Sequence, residues 1–108
     1  MTIETDLLRA ILSTVARQTF PPASIVDLIS KGGGGERQFR AFNLCDGIKP
    51  QSEIATAVGL DRGNFSRTVS RWIELGIVVK IGQGPEARPL HLYPLPEAWI
   101  KRGRASNE

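Results

Sequence analysis

Apolar positions along the chain follow two different periods. Ile3, Leu7, Leu8, Ile11, Leu12 and Val15 recur at helical spacing, and Pro21 with Pro22 ends that helix after about four turns. Ser24 to Ser30 predicts a second, shorter helix through Ile25, Val26, Leu28 and Ile29. The run Gly32 to Gly35 cannot stay helical without a large entropic cost and reads as a flexible joint or turn. Glu36 to Asp46 predicts a third helix with Phe39, Phe42 and Cys45 along one side and Ala41 and Leu44 beside it. Two short helices follow within Gln51 to Leu75. The chain then switches to β-branched residues at Ile77 to Ile81, and Leu90 to Tyr93 is the antiparallel partner.

The stretch from Gln51 to Val78 specifies its own geometry. Pro50 suits a helix N-terminus, and Ile54, Ala55 and Val58 share one face. Ala55 is small enough to let two helices cross closely, Gly59 stands where the chain leaves the first helix with positive φ, and Leu60 plugs the corner. Asp61 N-caps the second helix, behind which Phe65, Val69 and Trp72 form a core face. The opposite face carries Gly63, Ser66, Arg67, Ser70 and Glu74, with Arg62, Asn64 and Arg71 at its margins. Two helices, a tight turn and a following hairpin define a winged helix-turn-helix. The fold class expected is mainly α with a small β-hairpin wing and an added N-terminal helix. The donor-rich face of the second helix suits a DNA major groove, with Ser66 and Arg67 at base edges and Asn64 and Ser70 in support. Arg62 and Arg71 are read as phosphate contacts, as are Gln51 and Ser52 beside the free amides of the first helix.

The spacing of Gln51, Ala55, Gly59, Leu60, Phe65 and Val69 resembles the helix-turn-helix of phage Cro-type repressors. Asp61 to Val78 resembles the MarR family of bacterial winged-helix regulators, with Asp61, Arg62, Phe65, Ser66, Arg67, Arg71, Gly76, Ile77 and Val78 at matching positions; Phe65 and Trp72 are bulkier than that family usually shows. The resemblance covers roughly Phe39 to Tyr93 and leaves the N-terminal third unexplained; ArsR-like winged helices are neighbours. It implies a transcriptional regulator that binds double-stranded DNA as a homodimer, packed through N- and C-terminal helices. The loop Gly82 to Pro89 carries Glu86 and Arg88, similar to the acidic-x-Arg wing of MarR proteins, and by that resemblance Arg88 reaches a minor groove.

Composition adjusts this picture only slightly. The 108 residues allow one core, divided by the pattern into an N-terminal helical segment 1–31, a winged domain 36–95 and a short helix with a basic tail at 96–108. In that last piece Trp99 and Ile100 are possible packing residues, and Lys101, Arg102 and Arg104 form a basic cluster. A formal charge of +3 is weak support for a polyanion partner, but residues 1–30 hold Arg9 and Arg17 against Glu4, Asp6 and Asp27, which leaves +4 for the rest. The apolar stripe of the first helix needs a partner, which is either the core of its own domain or, as the resemblance implies, a second chain in a homodimer through Ile3, Leu7, Ile11 and Val15. Two recognition helices placed roughly 34 Å apart read a palindrome.

Other chemistry finds little footing. The single Cys45 reads as a buried small hydrophobe rather than a redox sensor, and the lone His91 makes no metal site. No nucleophile, acid-base pair or cofactor pattern is present, so no enzyme is expected. Gly35, Glu36 and Arg37 replace the Gly-Lys-Ser/Thr that a P-loop requires. No apolar run suffices for a membrane span, and the acidic start implies a cytoplasmic location. Two other functions are compatible with these residues: a winged-helix protein-interaction or scaffold module without DNA binding, and an antitoxin or defence-system regulator whose N-terminal helices hold another protein.

Overall fold

The computed structural model describes residues 2–31, 35–83, 87–98 and 100. Among these the chain forms five helices, α1 (Ile3–Thr19), α2 (Pro22–Lys31), α3 (Glu36–Asn43), α4 (Gln51–Val58) and α5 (Arg62–Leu75), and two strands, β1 (Val78–Ile81) and β2 (Arg88–His91). The architecture is mainly helical with a small antiparallel hairpin. Gly32 to Gly34, where a joint or turn is expected, lie outside the described residues, as do Glu86, Trp99 and the basic tail 101–108.

Local chemistry accounts for most of the boundaries. The Thr2 side chain accepts from the Thr5 amide and starts α1. Pro22 occupies the first position of α2, where a missing N–H costs nothing, so this helix starts earlier than Ser24. Gly59 ends α4 with φ 74° and ψ 32°, and the Leu60 amide donates back to the Ala55 carbonyl at 2.9 Å. Asp61 caps α5 through the Asn64 amide at 2.9 Å, and Gly76 ends it with φ 84°. A β-carbon at Gly59 would meet nothing closer than Arg37 Nη1 at 4.0 Å, so substitution there costs backbone strain and no clash. Gly59→Ala is therefore expected to lose about 1 kcal/mol of stability, read as a lower urea midpoint. Gly59→Asn is expected to lose less, because Asn tolerates the left-handed conformation.

The third helix departs from its expected span. It stops at Asn43 instead of running to Asp46, because the next residues pair with the hairpin. The His91 amide donates to the Cys45 carbonyl at 2.7 Å and the Gly47 amide to the Pro89 carbonyl at 2.9 Å, flanking a bridge between Asp46 and Leu90. Cys45 to Gly47 thus lies along β2 as a short third edge. The Asp46 carboxylate accepts from the amides of Ile48 and Lys49, which turns the chain into α4. Burial alone would raise the Asp46 pKa, but the Lys49 ammonium at 2.5 Å and these two amides bring it down to about 2.

The core lies where α2, α3, α4 and α5 meet the inner face of the hairpin. Trp72 is its centre, edge-on to Phe42 with ring centroids 5.6 Å apart and to Phe65 at 6.0 Å. Ala55 is fully buried, as close packing of α4 on α5 requires. Asn43 pins the C-terminal segment, donating to the Leu95 carbonyl at 2.8 Å and accepting from the Leu95 amide at 2.7 Å. Ile100 is buried in the same core.

The stripe on α1 divides into two faces. Leu12 and Ala16 pack inward, Arg9 donates to the Asp46 carbonyl at 2.6 Å, and Arg17 stacks over the Tyr93 ring at 4.4 Å. Ile3, Leu7, Ile11 and Val15 form an outer row that is 57–76% exposed. No helix among the described residues is long and apolar enough to cross a membrane.

Candidate nucleic-acid interface

Helix α5 has one face in the core and one in solvent. Phe65, Thr68, Val69 and Trp72 are buried, which leaves Arg62, Gly63, Asn64, Ser66, Arg67, Ser70, Glu74 and Leu75 exposed. At 3.6 residues per turn, Gly63 and Glu74 stand at the crest with Ser70 and Arg67 close on either side, Ser66 further round beyond Ser70, and Asn64 beyond Arg67. Arg67 Nη2 donates to Asn64 Oδ1 within the helix, so the guanidinium is held over the first turn. Thr68 donates to the Asn64 carbonyl at 3.0 Å, as Thr14 and Thr56 do to carbonyls four residues back. Ser66 and Ser70 make no such bond among the described residues.

Arg71 is not part of this open face. It is half-buried, and its Nε and Nη2 are covered with no hydrogen-bond partner among the described residues. A covered guanidinium supports a phosphate contact less well than the exposed Arg62 does.

The N-terminus of α4 lies beside α5. Pro50 brings no side-chain cap, so among the described residues the amides of Gln51 and Ser52 have no acceptor, while those of Glu53 and Ile54 close on the Pro50 carbonyl. Ser52 is exposed. Gln51 is half-buried with Oε1 under cover and unpartnered.

The hairpin contributes from the other side, with a register that moves one expected residue. Arg88 opens β2 opposite Ile81 instead of standing at the loop tip, and β2 ends at His91 instead of Tyr93. Pairing of Lys80 with Pro89 places these two on the inward face with Val78, whereas Ile81 and Arg88 leave from the opposite face. Lys80, which composition alone does not single out, therefore shares a strand face with the buried Val78 and lines, together with Arg88, a recess against α5. Strand alternation from the buried Val78 is the signal that could have found it. Arg37 is a second such residue: its Nη1 reaches the Gly59 carbonyl at 3.5 Å, beside the turn between α4 and α5.

Cys45 and His91 lie away from this surface. Cys45 is buried, donates to the Ala41 carbonyl at 3.3 Å, and burial pushes its thiol up to about 12, which keeps it from acting as a thiolate. His91 Nδ1 pairs with the Phe42 carbonyl at 2.8 Å, and burial lowers its pKa despite that bond. Because the folded pKa lies below the unfolded one, His91 contributes stability above about pH 6.5 that is lost as pH falls toward the folded pKa. The urea midpoint is expected to drop between pH 7.5 and 5.5, and the imidazole to titrate below 6.5 by NMR. Among the described residues no cluster of His, Cys, Asp and Glu could hold a metal ion.

In comparisons with known proteins, no family model, curated protein or solved structure matches this chain significantly.

Proposed function

We propose that this chain is a winged helix-turn-helix protein, similar to MarR regulators, that binds double-stranded DNA as a homodimer and regulates transcription as a repressor. The observation that carries the reading is the solvent face of α5: Gly63, Ser66 and Arg67 project from a helix whose opposite face is locked into the core by Phe65, Val69 and Trp72. A rigid helix with a free, donor-rich face is what major-groove reading needs. The unbonded amides of α4, the exposed Arg62 and the hairpin lysine surround it with groups suited to phosphate. The outer row of α1 supports the homodimer, since a contiguous apolar row in water favours a partner.

That same row favours the rival reading, a module that binds a protein through α1 and has given up DNA. Titration of labelled duplex at two salt concentrations separates them. DNA binding gives affinity that falls steeply with salt, because phosphate contacts release counterions; the rival gives no such affinity.

A further inference from the structure

A small recess lies between α4, α5 and the hairpin, lined by Gln51, Val69, Ser70, Ile73, Lys80 and Pro89, with Ala87 and Arg88 at the hairpin side. Its volume of about 100 Å³ leaves room for a small oxyanion such as phosphate. Three elements bring complementary chemistry to it. Lys80 comes from the inward face of β1 and has no ion-pair partner among the described residues. Ser70 brings a hydroxyl without an intrahelical acceptor. Gln51 brings a covered carboxamide whose Oε1 has no partner, and turning that amide over presents its Nε2 donors instead. No carboxylate lines the recess among the described residues; Glu86 is outside them.

We propose that this recess seats a single phosphate group of a DNA strand, with Lys80 as its counter-charge and Ser70 and Gln51 as its hydrogen-bond donors. The proposal rests on the DNA-binding reading for the source of the phosphate, but the seat is defined by its own residues. It changes one assignment. Ser70 becomes a positioning contact to the backbone, and base reading narrows to Ser66 and Arg67. A phosphate fixed between helix and hairpin sets the depth at which α5 enters the groove, because the same recess is walled by α5 and by the hairpin.

Two measurements test the seat. Inorganic phosphate is titrated against sodium chloride at matched ionic strength while the backbone amides are followed by NMR. Saturable shifts at Gln51, Ser52 and Ser70 are expected, absent in Lys80→Gln and retained in Lys80→Arg. The salt dependence of duplex binding is then compared between wild type and Lys80→Gln. The slope of log affinity against log salt is expected to shrink by about 0.9, equally for preferred and scrambled duplexes. Absence of phosphate shifts in the wild type overturns the seat. An unchanged slope in a Lys80→Gln protein that still binds duplex also overturns it and leaves the DNA reading standing. Phosphate shifts without any duplex binding support the seat and overturn the DNA reading.

Discussion

Ile11→Glu is expected to convert a dimer into a folded monomer and to lower duplex affinity by a factor of roughly 10²–10⁴, the loss that follows when two linked sites bind separately. Ile11 is 58% exposed and stands in the middle of the row Ile3, Leu7, Ile11 and Val15. A carboxylate there costs the isolated chain little, because the position is already wet. Across a two-fold interface it would place a charge against the partner's apolar row, and each contact is made twice. Sedimentation equilibrium reads the mass and circular dichroism the retained helix. Leu12→Glu is the contrast, since Leu12 lies on the inner face and packs against the domain core. That variant is expected to lose stability whatever the oligomeric state.

Arg67→Ala is expected to flatten sequence preference without unfolding the protein. The side chain is exposed, and its one hydrogen bond among the described residues is to Asn64 within the same helix turn. An exposed contact of that kind contributes little to stability. Placed against a guanine, the guanidinium donates to O6 and N7, worth roughly 1–3 kcal/mol, or about five- to 150-fold between preferred and altered duplexes. Competition binding with single-base variants measures that ratio. Equal loss on all duplexes would place Arg67 on phosphate, and no loss would place it outside the interface.

The sequence carries the geometry of α4, α5 and the turn between them because the interactions that set it are local. Gly59 at positive φ, Asp61 on the Asn64 amide, and Phe65, Val69 and Trp72 on one face all depend on neighbours within a turn or two. What was not legible depends on partners far along the chain. Cys45 to Gly47 has helical composition on its left and leaves the helix only because β2 offers backbone partners. The hairpin pairing brings Arg88 from the loop into β2, two residues before the expected strand start, and puts Lys80 on the face of Val78. On α1 one wide stripe serves two surfaces, and which residues face the domain is decided by Arg9 on Asp46 and Arg17 on Tyr93. Among the candidate site residues, Arg62, Gly63, Asn64, Ser66, Arg67 and Ser70 are brought together on one open surface. Gln51 and Arg71 are partly withdrawn because long side chains follow local packing that periodicity does not encode.

Selection of bound duplexes from a random library tests the proposed activity most directly. Recovery of a palindrome whose half-sites lie about one helical turn apart is the expected result, with a preference that relaxes in Arg67→Ala. Recovery of the input library unchanged, at a salt concentration where the protein is folded, would contradict it.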